Sequence, residues 1–230
     1  SCQRGLSQRR LAVFLGISRT TLVRRIRFLA QEARERHWRA LLKRVSSTGR
    51  FANVQFDDLH TFEHSKCKPT SVCVVVDADE RFILGHSVAQ IPASGPLAAV
   101  SRNKYGYRAD HSVQARHDLF AGLSAYIADD VRIASDEHKR YPALIRATLP
   151  NAVHTRYKSI RGCVTGQGEL KKTQFDPLFS VNHTLAMLRA NINRLVRRTW
   201  CTTKCNERLD DHIALYVEFH NRVLLQQTSR

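Results

Sequence analysis

Acid is scarce in this chain. Its 230 residues hold 20 Asp and Glu against 37 Lys and Arg, a formal net charge of +17 at neutral pH. An excess of that size favours a polyanionic partner, either nucleic acid or an anionic membrane surface. Long apolar runs are also missing: none approaches about 18 residues, which excludes a membrane-spanning helix. The six cysteines (Cys2, Cys67, Cys73, Cys163, Cys201 and Cys205) form no CxxC pair and do not look like a disulfide framework. Reduced thiols in a cytosolic protein are expected. Cys201, Cys205 and His212 have zinc-ligand chemistry, but no fourth ligand stands at a suitable spacing. No secretory leader is visible, and the absence of an initiator Met suggests that Ser1 is not the natural start.

What is present suffices for a packed core. Hydrophobic residues make up 43% and charged residues 25%, which excludes wholesale disorder. The length suits one large domain or a small module joined to a medium one. Charge is uneven along it. Residues 1–50 contain 13 Lys and Arg with only Glu32 and Glu35, a balance of +11; the other 180 residues hold 24 basic and 18 acidic residues, a balance of +6. That asymmetry predicts a basic DNA-binding module over residues 1–47, followed by a more balanced domain over 48–230.

Spacing within the basic module is helical. Ser7 suits an N-cap ahead of Leu11, Val13, Phe14 and Leu15. Gly16 permits a sharp turn, and Ser18 suits the cap of a second helix through Leu22, Val23, Ile26 and Leu29. Ala12 is small where the helices would touch, and Ile17 and Leu22 would fill the wedge between them, as a helix-turn-helix requires. Arg19, Thr20, Thr21, Arg24 and Arg25 would face outward, where Arg reads guanine edges and both residue types grip phosphate. The plainer alternative is a helical hairpin with a solvated basic face. Residues 31–44 continue helically, and 46–49 read as a hinge.

Beyond the hinge the period changes. Residues 51–59 read as a strand ending in Asp57-Asp58, and 71–76 and 81–88 as a hairpin about the turn Asp77-Ala78-Asp79-Glu80. Residues 90–110, with Pro92, Gly95, Pro96 and Gly106, read as a loop. A helix over 113–127, a short strand over 131–134 delivering Asp136, a helix over 141–147 and a strand over 153–157 follow. Two helices close the chain, over 177–198 with Pro177 at its first position, and over 206–225. This α+β, or α/β, order predicts a mixed sheet with helices on its faces. Such a sheet can set Asp57 and Asp136 side by side. Close carboxylates repel unless a divalent cation neutralises them, and oxygen ligands suit Mg²⁺. Two ions about 4 Å apart would activate a nucleophile and stabilise a leaving oxygen at a phosphodiester. Strand-end and helix capping are the structural alternatives for the same two residues.

The runs Phe56-Asp57-Asp58-Leu59-His60-Thr61 and Ser135-Asp136-Glu137-His138-Lys139-Arg140-Tyr141, with the cadence Leu188, Arg189, Arg194, Leu195, Arg198 and Thr199, resemble DDE transposases. The likeness points to the bacterial group related to insertion sequence one. It implies an N-terminal helix-turn-helix, often behind a zinc ribbon of which Cys2 would be a remnant, and an RNase H-like catalytic domain. It also implies two Mg²⁺ or Mn²⁺ ions, metal-dependent strand cleavage and strand transfer on double-stranded DNA, and at least a dimer on two element ends. The expected location is the nucleoid of a bacterial cytoplasm, with no membrane partner. Asp57 and Asp136 match the family's aspartates. The family's catalytic Glu falls on Asn182, beside His183, a neutral oxygen where a carboxylate belongs. Glu169, 33 positions after Asp136, is the rival third ligand, and an impaired site is the third outcome. Arg189, Arg194, Arg197 and Arg198 are implied phosphate contacts, and Tyr105 and Tyr107, among Arg102, Lys104 and Arg108, suit a DNA-facing loop. The rival function is a non-enzymatic DNA-binding regulator, or a decayed transposase that retains only the fold.

Overall fold

The computed structural model describes residues 7–158, 175–196 and 202–225. Its N-terminal part is a two-helix corner. Helix α1 (Gln8–Phe14) is capped by Ser7, whose hydroxyl accepts from the Arg10 amide at 3.3 Å; α2 (Arg19–Thr48) is capped by Ser18, which accepts from Thr21 at 3.0 Å. Between them Gly16 adopts φ +62°, a left-handed conformation that costs glycine little. Ala12 and Leu22 are buried where the helices meet.

No hinge interrupts residues 46–48. They form the last turn of α2, with the Ser47 and Thr48 hydroxyls donating to the Arg44 carbonyl at 3.0 Å each. The helix stops at Gly49, whose φ of +85° turns the chain away. The Ser/Thr/Gly cluster is therefore a terminus. Its side chains satisfy the helix's own carbonyl, a local bond that composition alone does not distinguish from a linker. With 30 residues, α2 extends about 45 Å.

The body is one five-stranded sheet in the order β3-β2-β1-β4-β5. Its strands are β1 (Phe51–Phe62), β2 (Pro69–Asp77), β3 (Ile83–Gln90), β4 (Ile127–Asp136) and β5 (Val153–Tyr157). The first three pair antiparallel; β4 pairs parallel with β1, and β5 parallel with β4. Three antiparallel strands followed by two parallel ones in this order is the RNase H-like fold. Strand β2 is a nearly continuous apolar run because both its faces are covered. On one face Phe56, Val75 and Ile133 pack with Phe120, Tyr141, Ile145 and Leu41. On the other Leu59, Val72 and Val74 pack with Val181, Leu185, Leu188, Leu209 and Ile213.

Several expected boundaries move. Strand β1 runs on to Phe62, so Asp57 and Asp58 sit mid-strand, where antiparallel pairing with β2 continues from Asp77 back to Pro69. Strand β4 covers ten residues, because Ile127 is buried in the core ahead of the 131–134 stretch that marked it. Within the expected loop lies helix α3 (Leu97–Tyr105); Pro96 precedes it and Gly106, at φ +75°, ends it. Those two residues punctuate a short helix, and Ser101 ties it down by donating to the Cys67 carbonyl at 2.6 Å. Helix α4 (Ser112–Leu123) ends in a 3₁₀ turn before β4, and α5 (Tyr141–Thr148) stands where expected. Helix α6 (Phe179–Asn191) begins two residues after Pro177 and ends well short of 198. Asp176 caps its entry, accepting from the Leu178 amide at 3.0 Å. Helix α7 (Asn206–Phe219) passes into a π turn at His220–Leu224. There Asn221 pairs with both the amide and the carbonyl of Ile83, at 3.0 and 2.9 Å.

The C-terminal half of α2 is built into this body. Leu41 joins the core, and the His37 ring bonds the Leu84 carbonyl at 2.8 Å. Arg34 bridges Asp210 and Asp211 at 2.6 and 3.0 Å, and Arg36 reaches Glu218 at 3.3 Å.

Candidate active site

Strand alternation sends Asp57 and Asp58 to opposite faces. Asp58 shares its face with Phe56 and is buried against Arg116 of α4 in an ion pair, both side chains being less than 8% exposed. The Arg116 guanidinium also lies over the Tyr141 ring, 5.7 Å from its centroid. Burial, reinforced by Asp58, pushes the Tyr141 hydroxyl far above its usual range, so it stays protonated. Arg116 escaped the sequence reading. The available signal was its helical spacing from Phe120 and Leu123 on the buried face of α4.

Asp57 faces the other way, toward α6. Its partner comes from the parallel register. Gln55 pairs with Ala134, and the same offset two residues on sets Asp57 level with Asp136. The next strand sets Tyr157 opposite Asp136. The two aspartates, 79 residues apart in sequence, thus occupy one face of adjacent strands. Their electrostatics agree. Burial, and then the Asp136 charge, push the Asp57 carboxyl up to about 7, against a bond from the Asp58 amide and the pull of Arg189. The Asp57 oxygen accepts that amide at 2.7 Å, and Asp136 accepts from the His138 amide at 3.0 Å where β4 ends.

Helix α6 roofs this pair. Gln55 holds its start, accepting from the Val181 amide at 3.1 Å and donating to the Pro177 carbonyl at 3.0 Å. Arg189, in the last turn, is near enough to lower Asp57. Asn182 is exposed and donates its amide to Asp176 at 2.9 Å; His183 bonds Arg81 at 3.2 Å. Neither makes a described contact with the aspartates. No Asp or Glu occurs anywhere in α6. Glu169 lies outside the described residues. Among the described residues no three His, Cys, Asp or Glu side chains form a metal-holding group.

In the corner, Arg19, Thr20, Arg24 and Arg25 face solvent, while the Thr21 hydroxyl is engaged with Ser18 at 2.9 Å. Arg194 lies beyond α6 and is half-buried; Arg197 and Arg198 lie outside the described residues. Lys68 and Lys104 stand over the Tyr105 ring at 4.8 and 5.5 Å, and Tyr107 is 81% exposed. Arg108 is drawn to Glu63 at 3.8 Å. The thiols of Cys67 and Cys73 are buried and free, and His212 meets Gln8 at 3.2 Å. Among the described residues no helix is long and apolar enough to cross a membrane.

The sheet order, with an aspartate on each of its two central parallel strands, defines an RNase H-like protein. No protein-family model and no curated relative matches the chain. Among solved structures it is similar to the Mos1 mariner transposase catalytic domain, with 13% identity over 86% of this chain and 90% of that one, at a TM-score of 0.39. It is similar also to the Mos1 mariner paired end complex with Mn, with 14% identity over 96% of this chain and 73% of that one, again at 0.39. A pre-cleavage Mos1 transpososome gives 10% identity over 97% and 73%, at 0.27.

Proposed function

We propose that the protein is a DNA transposase of the DDE type, of the insertion-sequence kind that its motifs resemble, acting by metal-dependent strand cleavage and strand transfer. The observation that supports this best is the pairing of Asp57 with Asp136 on one face of an RNase H-like sheet. A strongly basic N-terminal corner supports it independently. Two adjacent carboxylates, one raised to about 7, form a site short of positive charge, which fits a divalent cation. Asp57 and Asp136 would hold Mg²⁺ or Mn²⁺, with Asn182 or Glu169 completing the shell. The chemistry such ions supply is activation of an attacking oxygen and stabilisation of a leaving one.

This chain's own residues supply the positioning. Asp57, raised to about 7, shares a proton with solvent near neutrality and would have to be deprotonated to hold a cation. Arg189 offsets the charge of the pair and orients a phosphate against it, with Arg194 and Arg197 as further backbone contacts. Arg19, Thr20, Thr21, Arg24 and Arg25 would read element ends as part of a helix-turn-helix. Handling two ends implies at least a dimer on DNA, and the reading implies work on the bacterial nucleoid. Phosphoryl transfer asks mainly for such placement and charge stabilisation.

One observation favours a second reading, a DNA-binding regulator or decayed transposase: α6 has no acid to offer. A strand-cleavage assay on a mapped element end with Mg²⁺ or Mn²⁺ separates the two. Cleavage that disappears in Asp136→Asn while DNA binding persists supports the enzyme. Binding without cleavage by the unaltered protein overturns it.

A further inference from the structure

Where the N-terminal corner meets the C-terminal part of the body, the surface opens into a cleft of about 740 Å³. Arg9 and Arg19 line it from the corner; Arg194 and Lys204 line it from the segment between α6 and α7. Among the described residues no carboxylate lines it. Other cations of the chain meet acids directly, as Arg34 does with Asp210 and Asp211 and Arg116 does with Asp58. In this cleft the cations share the walls with neutral side chains, and Lys204 bonds His64 and Thr202 at 3.1 and 3.0 Å.

A second observation comes from its lining. Tyr216 of α7 is 6% exposed, and its hydroxyl has no hydrogen-bond partner, although buried hydroxyls are ordinarily satisfied. Burial pushes that hydroxyl up to about 12, so at neutral pH it is a donor awaiting an acceptor. His212 beside it is held neutral, lowered to about 4 by burial and by Arg194. Among the described residues the cleft therefore offers donors and positive charge and no carboxylate.

We infer that this cleft is a second DNA-contact site, which takes phosphodiester groups of a duplex leaving the first turn of α2. The inference rests on the reading of the protein as a DNA-binding one. Arg19 belongs both to the outward start of α2 and to the cleft wall, so one backbone track joins them. An open cleft with its cations spread over two walls suits a continuous phosphate chain. A lone phosphate would instead be enclosed by converging donors. Filling the site ties the corner to the body through the ligand, beside the direct link through α2 and α7.

The test uses the full chain and a labelled random-sequence duplex, with binding followed by anisotropy across a salt series. Arg9→Ala with Lys204→Ala should weaken binding several-fold and reduce the slope of log K against log salt by about 2, one for each lost phosphate contact. Arg9→Glu alone guards against misfolding of the double variant and should weaken binding as well. Tyr216→Phe should weaken binding without lowering the unfolding midpoint, since the hydroxyl has no partner to lose. If these variants bind like the unaltered protein while Arg24→Ala with Arg25→Ala weakens binding, the cleft assignment fails and the DNA reading survives. If neither pair matters, the DNA reading itself fails. If inorganic pyrophosphate raises the unfolding midpoint of the unaltered protein but not of the Arg9/Lys204 variant, and duplex binding is unmoved, the site takes small phosphates and the inference is overturned.

Discussion

Asp57→Asn should stabilise the protein above pH 7 and leave it almost unchanged near pH 4. The folded carboxyl is raised to about 7 from an ordinary value of 3.8, by burial first and Asp136 second. A raised acid binds more protons folded than unfolded, so between these values stability falls as pH rises. A shift of three units at about 1.4 kcal/mol each sets a ceiling of about 4 kcal/mol at pH 8. Near pH 4 the folded group is protonated and most of that cost vanishes. Asn keeps the oxygen that accepts the Asp58 amide, so the variant removes charge and little else. At about 2–4 °C per kcal/mol for a chain of this size the ceiling is roughly 8–16 °C, reduced to a few degrees where water reaches the pair. The assay is thermal unfolding at pH 5 and pH 8, with and without Mn²⁺. Mn²⁺ should stabilise the unaltered protein more at pH 8, because at pH 5 it must displace a proton, and should stabilise the variant far less. A variant that melts lower than the parent at pH 8, or is shifted equally at both pH values, would refute the raised Asp57 carboxyl.

Two further outcomes follow from the same geometry. Arg116→Ala leaves Asp58 buried without its counter-charge and should cost about 3–5 kcal/mol in urea unfolding; a loss below about 1 kcal/mol would show that water reaches Asp58. Asn182→Glu puts a carboxylate on α6, at the position proposed to complete the metal shell. Calorimetry at pH 7.5 should then show roughly tenfold tighter Mn²⁺ binding, whereas unchanged affinity would remove position 182 from the site.

The elements that carry the candidate site were legible because their signals are local. The Asp57-Asp58 pair, Asp136 ahead of the helix bearing Tyr141, and Ser18 as the cap of a basic helix each depend on a few neighbouring residues, and the elements stand at those places. Boundaries were less legible where one residue type serves two purposes. Pro96 and Gly106 looked like loop residues and bound α3; Ser47, Thr48 and Gly49 looked like a linker and end α2. Arg116 was missed because its burial depends on an acid 58 residues away.

The amino-acid order by itself determined the basic corner, the alternating and helical periods, the presence of two aspartates in strand contexts, and the lack of any acid over residues 179–191. All of these follow from side-chain identity and spacing. Only the tertiary structure decided that Asp57 and Asp136 share a face while Asp58 turns away to Arg116, and that Asn182 bonds Asp176 without a described contact to the pair. Parallel pairing of β1 with β4 joins segments separated by two strands and two helices, and its register is set by which side chains fill the two cores. That is a property of the whole packed sheet, and no short stretch of sequence contains it.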